Sequence, residues 1–188
     1  MPTRLAAAAT LAVMLGAGAA LSQTKSPTPA QQPQAAPKQT TQSQQQPQFP
    51  DWRPEPRYRT LNLRADFQPD PQEVPVDAGG DREATSIRND CLGWIDFSRP
   101  DVDVNYESGQ FPLYISAVSQ ADTTIVVNDP QGNWHCNDDF EGLNPGIVFR
   151  QPRSGNYNIW VGTFERGRPQ NATVRVSEIL PAGQQQRR

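Results

Sequence analysis

Across most of its second half the sequence is written in short runs with an apolar residue at every second position, and no long stretch carries a helical period. Leu113, Ile115 and Ala117 fall on one side of such a run, and Tyr157, Ile159 and Val161 on one side of another, opposite Asn158 and Trp160. Ala172, Val174 and Val176 alternate with Thr173, Arg175 and Ser177. Successive side chains of a strand point to opposite faces, so this period fits strands with one side in a core and does not fit helices. Runs of this kind cover 91–97, 102–106, 113–118, 124–128, 146–149, 156–164 and 172–179. Asp129-Pro130-Gln131-Gly132 and Ser154-Gly155-Asn156 supply turn chemistry between them. Strands of that length and spacing predict an all-β, antiparallel β-sandwich of jelly-roll type. In the Trp160 run, one of the two alternating sets is expected to face outward.

The first residues read differently. A basic Arg4 precedes an apolar, alanine-rich run over 5–21, and small residues lie just before Gln23. That order is that of a secretory signal peptide over residues 1–22. Residues 23–57 are rich in Gln, Pro, Ser and Thr without apolar periodicity, and read as a disordered tether, since they offer little to bury against the entropy of ordering. Trp52 and Tyr58 are the residues of this region suited to dock on the domain edge. The folded domain is expected over 58–180, with a polar tail over 181–188. About 120 residues suffice for one core and not for two. With leader and tether in front, the domain is expected to stand alone, exported to the periplasm or the medium, without a membrane anchor after cleavage, as a monomer.

Two cysteines, Cys91 and Cys136, remain in a chain read as exported. In an oxidising compartment an even count reads first as a disulfide, and the close CxxC spacing of a redox pair is missing. The net charge of −3 and pI near 5.2, with no basic stripe among aromatics, exclude a nucleic-acid partner.

The order of GWIDFSRPDVDVNY, LYISAVSQADTTIVVNDPQGNWHCNDD, LNPGIVF and PRSGNYNIWVGTF resembles the bacterial pre-peptidase C-terminal domain. The resemblance covers roughly residues 67–179; its most specific pieces are the DTT-apolar-NDPxG hairpin and the SGxYxIWVG strand. It implies a β-sandwich module of the kind appended to secreted proteases and other exported enzymes. Some modules of this type are associated with calcium.

His135 is the only histidine, so any Ser-His-Asp arrangement must use it. No G-x-S-x-G occurs, and Ser154-Gly155 reads as a turn, so catalysis is not expected. The acidic hairpin offers more. Asp129, Asp138 and Asp139, with Asn144 and neighbouring Asn128, Asn137 and Glu141, could supply the oxygens a calcium ion wants if the hairpin folds Asp129 back on the other two. Against that stands the absence of an EF-hand pattern, and Asn and Asp also make local turns. Both readings stand at this point. Asp101 and Asp103 are expected on a solvated strand face. Of Trp94, Trp134 and Trp160, at least two are expected in the core, with Trp134 and Trp160 the candidates for a ligand platform. The expected function is non-catalytic: binding of an extracellular polymer or protein, or service as accessory to a partner enzyme. The alternatives are an exported hydrolase and a structural envelope protein.

Overall fold

The structure, a computed structural model, describes residues 48–182. Residues 1–47 and 183–188, and with them the expected signal peptide, most of the expected tether and most of the expected tail, lie outside the described residues. No helix among the described residues is long and apolar enough to cross a membrane.

Among the described residues eleven strands form two sheets. In chain order they are β1 (Arg59–Arg64), β2 (Gln72–Ala78), β3 (Arg82–Glu83), β4 (Trp94–Ile95), β5 (Val102–Glu107), β6 (Leu113–Ser119), β7 (Thr123–Asn128), β8 (Trp134–Asn137), β9 (Gly146–Phe149), β10 (Gly155–Thr163) and β11 (Gln170–Ser177). The larger sheet runs β1-β5-β10-β7-β8, with β4 and β3 continuing the β5 side of β10. The smaller runs β2-β11-β6-β9. Pairing is antiparallel except between β1 and β5, which are parallel.

The alternating residues do what their period demands. Val102, Val104, Ile125, Val127, Ile159 and Val161 point from the large sheet to meet Val74, Ile115, Ala117, Val174 and Val176 from the small one. Burying such side chains stabilises by about 1.5–3 kcal/mol each, and their pleated pattern fixes the register. β2 is hard to read from the sequence because Pro75 interrupts its alternation. It pairs with β11 alone, as an edge strand, where a residue without an N–H is tolerated.

The large sheet also carries a second core on its other face. Ala84, Cys91, Ile95, Phe97, Val126 and Trp160 pack there, with Trp134 and Cys136 against them. The segment between β2 and β5 forms this cover. Gly162 of β10 lets it lie down, since a Cβ there would sit 2.3 Å from the Trp94 carbonyl oxygen. The disulfide Cys91–Cys136 pins the cover to β8, with Cα atoms 5.2 Å apart.

The expected inside-outside division of β10 therefore fails. Both sets are buried, Tyr157, Ile159 and Val161 between the sheets and Trp160 under the cover. Asp101, expected on a solvated face, is 2% exposed: it staples β5 to β10 by accepting the Val161 N–H at 2.8 Å. Asp103 is half-buried and accepts a hydrogen bond from the Asn158 amide at 2.8 Å. Residues ahead of 58 also bond to the sandwich. The Asp51 N–H donates to Phe97 O at 2.8 Å, and the Arg57 N–H to Pro100 O at 2.8 Å.

Candidate functional site

The cover stops partway along the outer face of the large sheet. Beyond it the outward positions are polar: Thr60 and Asn62 on β1, Asp103 and Asn105 on β5, Asn156 and Asn158 on β10, Asn128 on β7. Three of them form a row across the strands. The Asn156 Nδ2 donates to Asn105 Oδ1 at 2.9 Å, and the Asn105 Nδ2 donates to Asn62 Oδ1 at 2.9 Å. Register explains the row, because Asn105 lies opposite both Asn62 and Asn156.

Where cover and amide row meet stand the aromatics. Trp134, the first residue of β8, packs on the buried Trp160 at 5.4 Å between centroids and is stacked on its other flank by Phe49 at 6.3 Å. Its carbonyl accepts a hydrogen bond from the Arg88 guanidinium at 2.9 Å. Trp52, 53% exposed, flanks the same depression. That depression has a volume of about 490 Å³ and is lined by Trp52, Trp134, Asn128, Asn156, Asn158 and the β7–β8 turn.

The turn is held by one carboxylate. Asp129 Oδ1 accepts from the Gln131 N–H at 2.8 Å and the Asn133 N–H at 3.0 Å, while Oδ2 lies 2.9 Å from His135 Nε2. Gly132 takes the positive φ of 81° that this connection needs, and its N–H closes the turn onto Asp129 O at 2.8 Å. Burial pushes the Asp129 carboxyl up, but the hydrogen bonds from His135, Asn133 and Gln131 outweigh it and hold the group below the usual carboxylate range. Gly155, at φ 141°, admits the ring of Pro130, which would lie 2.6 Å from a Cβ there. The turn thus closes on the start of β10 and forms one wall of the depression.

The proposed calcium ligands do not converge on Asp129. In the β7–β8 register Asn128 faces Trp134 and Ile125 faces Asn137, so Asp138 follows at the far end of the hairpin, roughly 17 Å along a pleated strand from Asp129. Asp138 and Asp139 instead face Asp122, whose carboxyl is raised by burial and then by Asp139, Asp138 and Glu165. The Asn144 Oδ1 accepts the Ser119 N–H at 2.8 Å, and the Asn137 Oδ1 accepts the Gly146 N–H at 2.8 Å. These amide oxygens are engaged by backbone N–H groups 25 and 9 residues away, tying neighbouring segments together. Trp160 is not a ligand platform either, being fully buried, whereas Trp134 lines the depression. Trp94 is half-buried beneath the Arg166 guanidinium, 4.9 Å from its ring.

His135 points to the other side of β8, where its ring meets the edge of Phe149 at 5.0 Å. With Nε2 on Asp129, the imidazole belongs to the turn and the rim of the main core. Sequence reasoning gave Trp52 only a docking role at the domain edge and missed the row of Asn62, Asn105 and Asn156. The NxN spacing within β10 was the available signal, but only the strand register turns three scattered amides into a line.

Fold and face together define a two-sheet β-sandwich with a disulfide-pinned cover and an open aromatic–amide face. No protein-family model matches the sequence, and no curated protein matches it. Among solved structures the chain is similar to PliG from Aeromonas hydrophila, a periplasmic lysozyme inhibitor of g-type lysozyme. Identity is 12% and the TM-score 0.36, over 63% of this chain and 96% of that one.

Proposed function

We propose that this protein is an exported, non-catalytic binding module that takes its ligand on the outer face of the large sheet. The observation that carries the reading is the interrupted cover: a buried second core on one half of the face, bare ordered amides on the other, and tryptophans at the join. Trp is the side chain that contributes most contact area per immobilised bond, which favours it at binding surfaces. A non-catalytic role is supported by the engagement of His135, the sole histidine, with the turn carboxylate and the Phe149 ring. Both cysteines are consumed by the disulfide. Export is supported by the apolar leader and by that disulfide, which persists in oxidising compartments. The resemblance to pre-peptidase C-terminal modules supplies a setting of the same kind, an accessory module beside an exported enzyme.

The test compares the wild-type chain with Trp52→Ala on insoluble cell-wall, polysaccharide and collagen preparations. Retention that falls at least about tenfold in the variant, with an unchanged circular-dichroism melt, supports the reading. Retention indifferent to Trp52 counts against this face. Casein hydrolysis, or labelling by a serine-directed probe that disappears in His135→Ala, overturns the non-catalytic role.

A further inference from the structure

Three depressions on the outer face share their linings. Trp52 and Trp134 belong both to the central one and to the one that reaches Phe49 and Phe97. Ser154, Gly155 and Asn156 belong both to the central one and to the one that reaches Asn105 and Asn62. They therefore form one continuous track. It crosses β8, β7, β10, β5 and β1, four inter-strand steps of about 4.8 Å or roughly 19 Å. Such a track is matched to an extended ligand and is longer than a small molecule needs.

Its chemistry narrows the ligand further. An asparagine amide has two N–H donors and a carbonyl with two lone pairs. In the row, Asn105 gives one N–H to Asn62 and receives one from Asn156, which leaves it one donor and one acceptor to offer outward. The cross-strand bonds hold each amide plane still, so little rotamer freedom remains to be lost on binding. A fixed donor beside a fixed acceptor is complementary to neighbouring hydroxyls, each of which both gives and takes a hydrogen bond.

The aromatic end suits the C–H face of a sugar ring. The charges along the track are internally satisfied: Arg53 lies on Asp51 at 2.8 Å and Arg64 faces Glu107 at 3.8 Å. The side chain of Asp129 is only 10% exposed and turned to His135. Asp103, between Asn105 and Asn158 on the same face, is half-buried and gives an oxygen to the Asn158 amide, so the track presents no unpaired cation to an anionic polymer and no cluster of carboxylates to a cationic one. A protein partner is less well matched, because the core of a protein interface surrounds its aromatic anchors with apolar groups, and here they border amides.

Resting on the binding reading above, we propose that the ligand is an uncharged linear polysaccharide laid across the strands, with ring stacking at Trp52, whose neighbour Trp134 is already packed between Trp160 and Phe49, and hydroxyl recognition by Asn156 and Asn105.

The test is affinity electrophoresis of the full chain through gels containing laminarin, hydroxyethylcellulose, xylan, heparin or polygalacturonate, with a proline-rich peptide titrated in parallel. Calorimetry then follows the oligosaccharide series of any retarding glycan. Expected results are retardation by at least one uncharged polysaccharide, affinity that climbs from the disaccharide to the hexasaccharide, and no loss up to about 0.5 M salt. Asn105→Ala is expected to weaken binding about 3- to 10-fold, and Trp52→Ala about 30-fold, without lowering the melting temperature. No retardation by any uncharged polysaccharide, or binding confined to the anionic ones, overturns the proposal. Trp52-dependent binding of the peptide or of a protein, with glycans inert, also overturns it but leaves the binding face standing. Glycan binding that ignores both Trp52 and the asparagines defeats the two readings together.

Discussion

Trp134 packs its ring 5.4 Å from that of Trp160 at an interplanar angle of 43°, so a side chain lining an open groove rests on one wholly enclosed beneath it. The contact ties the proposed binding surface to the second core. A ligand-facing residue held this way presents its ring without flexing, and its strand is held in turn by Cys136 two residues on.

That contact separates two tryptophan phenotypes. Trp160→Ala empties the second core and is expected to cost about 3–5 kcal/mol, whereas Trp52→Ala, at an exposed position, should stay within about 0.5 kcal/mol. Trp160→Phe should cost less than Trp160→Ala by a wide margin, because the Trp160 Nε1 is buried without a hydrogen-bond partner. Urea titrations of the three variants measure this; equal losses for Trp52→Ala and Trp160→Ala would contradict the arrangement.

The disulfide closes a loop with a sequence separation of 45 residues. Chain-entropy arithmetic gives about 4 kcal/mol for such a loop. Cys91→Ser with Cys136→Ser is expected to lower the urea midpoint accordingly and to loosen the cover before the main core. Hydrogen exchange should show β3 and β4 losing protection first, ahead of β5 and β11. Uniform loss across the fold would mean the cover is not a separate unit.

Stability should fall as the pH rises through the weakly acid range. Burial pushes the Asp101 carboxyl up to about 7 and that of Asp103 up to about 6. Both keep a proton in the folded chain where the unfolded chain, titrating in the ordinary aspartate range, has lost it. The folded state then binds more protons, so the stability these groups contribute is fully present below about pH 4 and is lost by about pH 7. Asp101→Asn keeps an oxygen for the Val161 N–H and removes the charge. Its melting curve is expected to be flatter between pH 4 and pH 8 and higher at the alkaline end, and a wild-type profile that rises over this range would refute the assignment.

Asp129 acts in the opposite sense. Its depressed carboxyl contributes stability above the unfolded value, lost on acidification. Asp129→Ala removes the acceptor of two backbone N–H groups and should cost about 1–3 kcal/mol. Because those oxygens are already engaged, neither millimolar calcium nor a chelator is expected to move the melting temperature. A shift of several degrees in a calcium melt would place an ion in the hairpin after all.

Much of the sandwich was legible before any coordinates. Leu113–Ser119, Gly155–Thr163 and Gln170–Ser177 are strands where the alternation puts them, and the NDPQG sequence makes the hairpin its turn residues require. Cys91 and Cys136 pair as the even count implied. Two edge strands were hidden, β2 by its proline and β1 by a parallel partner far along the chain. The second core was hidden for a sharper reason. A strand buried on both sides has no outward set, so the alternation in β10 reads as one face in and one out until the cover is seen lying on Trp160.

Period, turn residues and cysteine count are local properties, and local properties were enough to determine a crosslinked, all-β chain. Which acids meet, which tryptophan is enclosed and whether three asparagines stand in line depend on pairing between segments distant in the chain, 51 residues apart for Asn105 and Asn156 and 60 for Asp101 and Val161. A sequence specifies which side of its own strand each residue takes. Only the folded sheets decide what lies opposite, and the candidate binding face is made entirely of such oppositions.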